Sequence, residues 1–321
     1  MGYGPSVTER TGAVVLNFGP PDDTLACLDS LERSEDLDLR IVVVDNGPES
    51  GDQHHALAEG IAGRAELVAT GANLGYAAGN NVGISRLLDA GVDRVWVLNP
   101  DTRAEPSTLG QLGAHLDAVP DCAVVAPRFL LPGDPPRIWF ESAEVDRGTA
   151  AIRPDHLNRT EAECPPGPAR DTDYVAGAGM LLRAAALRDV GMLPEDFFLY
   201  FEETTWCLSA ADLGWRVMVL PEARMLHLKR SGSAVPTAYY VYYMTRNRLL
   251  FAERVLGIDR DEVFGPVLET FERDLLVPWR ARVAAHAPHW LETFEELVRR
   301  ALRDARAGVT GGVDGIAAAA S

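Results

Sequence analysis

Two adjacent carboxylates, Glu202 and Glu203, follow the aromatic run Phe197-Phe-Leu-Tyr-Phe201 and open a segment of helical character. A lone imidazole, His227, comes further along the chain. A carboxylate in such a place can take a proton from a hydroxyl, and an imidazole can ligate a metal. Upstream, Leu98-Asn99-Pro100-Asp101 closes an apolar run. An aspartate just past a buried strand is a natural Mg2+ or Mn2+ ligand, completed by substrate phosphate oxygens. Asn99 is a poorer ligand than aspartate, so Asp101 is the one carboxylate there, and a nitrogen from His227 favours Mn2+ over Mg2+. Together these residues point to metal-assisted group transfer to an alcohol.

Each residue also has a plainer reading. Asp101 suits an Asx turn, acidic residues are common at helix starts, and a lone histidine is more often structural than a ligand. Against a purely solvated carboxylate pair stands the crowding by Phe197, Phe198, Tyr200, Phe201 and Trp206. A helix N-terminus favours the ionised form that a general base needs. His54 and His55 read as surface histidines. Tyr239, Tyr240, Tyr242 and Tyr243 read either as an acceptor platform or as helix packing.

These groups need elements to position them. Strands are expected at Ala13–Asn17, Arg40–Val44, Leu67–Ala69, Arg94–Leu98 and Ala123–Ala126, and helices at Asp22–Leu31, Tyr76–Ala90 and Pro106–Val119. Alternating strands and helices indicate βαβ units and an α/β fold with a mostly parallel sheet. Functional groups then collect at the carboxyl ends of the strands, where Asn17, Asp45 and Asp101 fall. A carboxylate at Asp45 can accept from the imide N–H of uracil or thymine; Asp45-Asn46-Gly47 is also a good turn. Gly71-Ala-Asn-Leu-Gly-Tyr-Ala-Ala-Gly-Asn-Asn-Val-Gly83 runs into a helix start, which suits a nucleotide diphosphate. Within it Asn73, Gly75 and Asn81 are candidate donor-site residues, against the alternative of glycines that permit close helix packing. Residues 130–172, rich in Pro and Gly, are expected to form a long, partly mobile loop or hairpin over the site. Order returns at Tyr174–Leu182, followed by a helix at Ala184–Val190.

Of the 321 residues, 47% are hydrophobic and 24% charged, as in ordinary globular chains. The net charge of −17 argues against nucleic acid and against polybasic docking on anionic membranes. Four dispersed cysteines give neither a zinc motif nor a disulfide framework. With no signal peptide and no apolar run long enough for a bilayer, the expected location is cytoplasmic.

The ordered pieces resemble the family 2 glycosyltransferases, in their rhamnosyltransferase-like branch with the GT-A fold. The matching stretches are Val14-Val-Leu-Asn17, Ile41-Val-Val-Val-Asp-Asn46, Asn73-Leu-Gly-Tyr-Ala-Ala-Gly-Asn-Asn-Val-Gly-Ile84 and Leu98-Asn-Pro-Asp101. They continue through Gly177-Ala-Gly-Met180, Phe197-Phe-Leu-Tyr-Phe-Glu-Glu203, Gly214-Trp215 and Pro221-Glu-Ala-Arg-Met-Leu-His227. The resemblance implies inverting transfer from a UDP- or dTDP-linked sugar to an acceptor hydroxyl, with Mn2+ or Mg2+ on the diphosphate. It places Asn17 and Asp45 beside the nucleoside and Asp101 and His227 on metal and phosphate. Lys229 and Arg230 come within reach of the diphosphate, and Glu203 stands at the catalytic base, with Glu202 next in line. Glu203 replaces the family's usual aspartate, and Thr205 and Ser209 replace an Asp and an Arg that commonly follow. That leaves the acceptor class open.

The expected division is a GT-A nucleotide-sugar-binding domain over 1–235, a helical region over 236–306 and a disordered tail over 307–321. The helices after Thr237 either cover the acceptor or form a homodimer contact. The acidic composition favours a cationic small-molecule acceptor, in natural-product or cell-surface glycan synthesis. Two other classes are a catalytically degenerate nucleotide-sugar binder and a sugar-phosphate nucleotidyltransferase. The latter normally carries a basic Gly-rich loop where this chain has Asn17-Phe-Gly-Pro-Pro-Asp22.

Overall fold

The computed structural model describes residues 10–34, 39–228 and 235–316. Its centre is a mixed sheet. Strands β1 (Thr11–Asn17), β2 (Leu39–Asp45), β3 (Glu66–Ala69) and β4 (Arg94–Leu98) run parallel, with β1 between β2 and β4. Both β1 and β4 are buried along their whole length, as expected for parallel strands covered on both faces. Three later strands extend the sheet beyond β4. These include β6 (Cys122–Leu131), β11 (Gly179–Arg183), which is antiparallel to both β4 and β6, and β12 (Arg216–His227), which is parallel to β6. The short β5 (Thr102–Ala104) pairs with the end of β12, setting His227 opposite Thr102.

Helices α1 (Asp22–Leu31), α2 (Asp52–Ile61), α3 (Tyr76–Asp89), α4 (Thr108–Ala118), α5 (Ala184–Val190) and α6 (Glu202–Asp212) flank this sheet. The glycines of α3 have a packing cause. A Cβ on Gly83 would stand 2.5 Å from Val14 Cγ1, and one on Gly79 would stand 2.6 Å from Leu16 Cδ1. Glycine therefore lets the helix approach β1 at a distance no side chain permits.

The Pro- and Gly-rich stretch after β6, expected as a loop or hairpin over the site, does contain a hairpin and carries more strand than a loop would. It forms β7 (Arg137–Phe140) on the edge of β6, the hairpin of β8 (Ala143–Asp146) with β9 (Ala151–Pro154), and β10 (Arg170–Asp171) beside β12. A buried ion network holds it. Arg128 is fully buried against Glu141, which also meets Arg170 at 2.6 Å and His156 at 3.4 Å. Arg128 further donates to the Cys164 carbonyl at 2.9 Å. Charges so deeply buried are tolerated only when paired in this way.

After β12 the chain is helical. α7 (Ala238–Arg254) packs along α8 (Leu291–Ala307), with the helical stretch 260–286 between them. The end beyond 307, expected to be disordered, has a defined course over 308–316. Gly311 N–H donates to the Asp196 carbonyl at 2.6 Å, Val313 N–H to the Tyr243 hydroxyl at 3.2 Å, and Ile316 is buried. Residues 317–321 lie outside the described residues. No helix among the described residues is long and apolar enough to cross a membrane.

Candidate active site

The carboxyl ends of β1 and β2 meet in register, Asn17 opposite Asp45. Asn17 Nδ2 donates to Asp45 Oδ1 at 3.1 Å, and Thr24 Oγ1 donates to Asn17 Oδ1 at 2.6 Å. The second oxygen, Asp45 Oδ2, lies 2.7 Å from His54 Nδ1. His54 is thus no surface histidine: α2, an element unforeseen in the sequence, swings it onto the carboxylate. His55 remains exposed. Asn46 adjoins this corner, donating to Asn73 Oδ1 at 3.2 Å and to the Gly75 carbonyl at 3.0 Å. So Asn17, Asp45, Asn73 and Gly75 come together at one end of the sheet.

A second cluster lines a cleft of about 460 Å3 at the ends of β4, β11 and β12. Asn99, Asp101, Glu202, Glu203 and His227 all face it. The pairing of β5 with β12 brings His227 Nε2 to 3.6 Å from Asp101 Oδ1. Trp139, on β7, stacks on the His227 ring with centroids 3.9 Å apart and an interplanar angle of 13°.

The carboxylate pair is presented by a strained turn. Phe198, Tyr200 and Phe201 have φ of 69°, 71° and 79°. Bulky residues rarely occupy this left-handed region, and each costs on the order of 1–3 kcal/mol. α6 begins directly after them. Glu202 is fully buried and both its carboxyl oxygens lack a hydrogen-bond partner. Burial first, and then the charge of Glu203, push its pKa well above the ordinary carboxylate range. Burial also pushes Glu203 up to about 7, against backbone N–H groups at the start of α6 that lower it. The helix start favours the ionised form as expected, but desolvation outweighs it at both carboxylates.

The sequence profile of glycosyl transferase family 2 matches residues 13–190, more than half of the chain. The chain belongs to glycosyl transferase family 2.

This glycosyltransferase is similar to the dTDP-rhamnosyl transferase RfbF of Shigella flexneri, 22% identical over 315 residues, spanning 94% of this chain and 96% of that one. It is also similar to the N-acetylglucosaminyl-diphospho-decaprenol L-rhamnosyltransferase of Mycobacterium tuberculosis, 26% identical over 282 residues, 78% of this chain and 87% of the other. Among solved structures it matches GalNAc-T7 with UDP, GalNAc and Mn2+ at a TM-score of 0.58 and 11% identity, over 88% of this chain and 59% of that one. The mannosyltransferase PcManGT of Pyrobaculum calidifontis, with GDP-Man and Mn2+, matches at 0.53 and 15% identity, over 94% and 88%. These similarities establish the GT-A fold, and the family establishes a nucleotide-sugar glycosyltransferase.

A divalent cation fits the donor set of this glycosyltransferase. One carboxylate and one imidazole face the same cleft at 3.6 Å, close to the separation of two neighbouring ligands around a single ion. Among the described residues no third His, Cys, Asp or Glu completes a cage. Such a two-ligand site leaves positions for diphosphate oxygens and water.

Two sequence expectations come out differently, and a third, left open between two readings, divides between them. Asn81 is not brought to the cleft: its Nδ2 donates to the Leu193 carbonyl at 2.9 Å and to Glu195 at 2.8 Å, and its Oδ1 accepts from Leu193 N–H at 3.1 Å. It pins α3 to the loop before the strained turn. The start of α3 is also not open to a diphosphate as expected, since Tyr76 N–H donates to the Phe198 carbonyl at 2.7 Å. The tyrosine stripe splits: Tyr240 lines the cleft, whereas Tyr242 and Tyr243 are fully buried. Lys229 and Arg230 lie outside the described residues.

Proposed function

We propose that the enzyme is an inverting, metal-dependent glycosyltransferase that uses a UDP- or dTDP-linked sugar. The observation that carries this reading is that Asp101, His227, Glu202 and Glu203 line one cleft. Glu203, ionised, accepts the proton of the acceptor hydroxyl, which attacks the anomeric carbon opposite the departing nucleoside diphosphate. Glu202, held neutral by burial, keeps a second negative charge away from the incoming oxygen nucleophile. Asp101 and His227 hold the divalent cation, which when bound neutralises charge on the diphosphate. Mn2+ suits the mixed oxygen and nitrogen donors. Asp45 accepts from the imide N–H of uracil or thymine, and Asn17, Asn73 and Gly75 border the nucleoside. The two rhamnosyltransferase relatives support dTDP-rhamnose as the first donor to try. The acidic groups on the cleft suit an uncharged or cationic acceptor better than an anionic one.

Thermal-shift titration with UDP, dTDP and GDP, with and without Mn2+, tests the donor site. Stabilisation by UDP or dTDP that needs Mn2+ is expected. Equal stabilisation by GDP removes the base assignment, and no shift with any nucleotide overturns the donor site. Glu203→Gln is expected to cut turnover at least about 100-fold with nucleotide affinity kept. Full activity in that variant overturns Glu203 as the base, and Glu202→Gln is then the next variant to assay.

A further inference from the structure

α7 carries Thr245-Arg246-Asn247-Arg248, and all four are buried although each is polar. Two of them spend their hydrogen bonds on one short piece of backbone. Asn247 Nδ2 lies 2.9, 2.7 and 3.2 Å from the carbonyl oxygens of Phe197, Leu199 and Tyr200. Arg246 Nη2 donates to the same Phe197 carbonyl at 2.8 Å, and its Nη1 donates to the Gly311 carbonyl at 2.8 Å. Arg246 Nε donates to Asn247 Oδ1 at 2.8 Å, which fixes the amide so that its N–H groups face the turn. The guanidinium also sits over the Tyr243 ring, 4.9 Å from its centroid, and Tyr243 stacks on Phe198 at 5.0 Å.

The backbone so gripped is the turn in which Phe198, Tyr200 and Phe201 take left-handed conformations, immediately before Glu202 and Glu203. A run of this kind does not hold itself, and the surroundings must over-determine it. On its far side Gly75 allows contact that a Cβ, 2.4 Å from the Phe198 carbonyl, would forbid. The turn is thus clamped between α3 and α7, and α7 supplies the donors.

We propose that Arg246 and Asn247 are positioning residues that hold the 197–200 turn so that the first turn of α6 delivers Glu203 to the cleft. This rests on Glu203 as the base. Neither residue touches the reacting atoms; each acts through the turn's carbonyl oxygens. Asparagine suits the task because one nitrogen supplies two N–H donors while its oxygen accepts from Arg246. An aspartate of the same size turns those donors into acceptors facing carbonyl oxygens.

The test uses the full chain and needs no substrate. Asn247→Asp keeps the Arg246 partner and removes the donors. Arg246→Lys keeps the charge with a single ammonium. Hydrogen–deuterium exchange is read at amides 198–203 and, for comparison, in β1 and β4. Carbon-13 NMR follows the Glu203 carboxyl, assigned by its loss in Glu203→Gln. Exchange at 198–203 is expected to rise at least about tenfold in both variants with β1 and β4 unchanged, as for local rather than global opening. The Glu203 midpoint is expected to fall by about one pH unit or more as the carboxyl gains solvent. Folded variants with unaltered exchange and an unaltered midpoint overturn the proposal. Failure of both variants to fold also overturns it, because the pair then belongs to the folding core. A wild-type Glu203 that titrates in the ordinary carboxylate range removes the midpoint as a readout, so exchange alone then judges the clamp; the base reading is judged separately, by the turnover of Glu203→Gln.

Discussion

The Trp139 indole lies almost parallel to the His227 imidazole, with ring centroids 3.9 Å apart. β7 supplies the indole and β12 the imidazole, with β6 between them. The stack fixes the plane of the imidazole while its Nε2 points toward Asp101. A ligand's orientation is commonly set by such neighbours, whose loss costs about 10–100-fold in metal affinity or activity. Trp139→Ala is therefore expected to raise the Mn2+ concentration for half-maximal nucleotide stabilisation at least about tenfold. Superimposable Mn2+ titrations of variant and wild type would show that the indole orients nothing.

The carboxylate pair predicts opposite pH trends for activity and stability. Glu203 must be ionised to act as base, so kcat/KM is expected to rise about tenfold per pH unit below 7 and to level off above it. Its folded pKa of about 7 lies above the ordinary 4.5, so between those values the folded chain binds more protons than the unfolded one. Stability from this group is full below about 4.5 and is lost as pH rises through 7. Glu203→Gln should then melt about 2 °C or more above wild type at pH 8, with the gap closing at pH 4.5. A gap independent of pH would mean that the carboxyl is not buried in its charged form.

Asp45 receives Asn17 on one oxygen and His54 on the other, which leaves lone pairs on both for a base. Asp45→Asn removes the charge that strengthens such a bond. Affinity for dTDP is expected to weaken about tenfold, roughly 1.4 kcal/mol, with turnover at saturating donor within about threefold of wild type. Calorimetry with dTDP checks it. An unchanged Kd would take Asp45 out of the nucleoside site.

The Arg128–Glu141 pair predicts a large stability effect away from the chemistry. Both side chains are buried, and removing Glu141 leaves the Arg128 guanidinium with the partly exposed Glu161, at 3.3 Å, as its remaining carboxylate. Glu141→Gln is expected to cost about 3–5 kcal/mol in urea unfolding. Replacing both partners by apolar residues should cost less than either single change. Additive losses would show that the two charges are not coupled.

Where a segment carries its own period, its place in the fold was legible. β4 at Arg94–Leu98, α1 at Asp22–Leu31 and α5 at Ala184–Val190 fall at the bounds the pattern marks. Asp101, His227, Glu202 and Glu203 could be assembled from strand ends and motif order. What escaped depends on contacts distant in sequence. α2 was missed although Leu57 and Ile61 stand four apart on its buried face, and the His54 contact with Asp45 went unseen with it. β7 to β10 are two to four residues each and owe their order to a buried ion network. Asn81 looks like a ligand because a polar side chain in a glycine-rich stretch fits a phosphate site as well as it fits a backbone pin. Arg246 and Asn247 left one usable signal. Four consecutive polar residues cover a full helical turn, so some of them had to face inward between Tyr242-Tyr243 and Leu249-Leu250-Phe251.

Much of the cleft, Glu202, Glu203 and His227 included, comes from beyond the stretch that matches the family. Residues 13–190 carry the family match, whereas Tyr240 and Met244 on α7 close the cavity around Glu203. The seam between sheet and C-terminal helices is therefore no place to cut or graft. On the proposed clamp, a chimaera that borrows another relative's helices is expected to keep its activity when a matching Arg-Asn dipeptide comes with them. On the clamp proposed above, the helix that walls the cleft is also the one that positions its carboxylates.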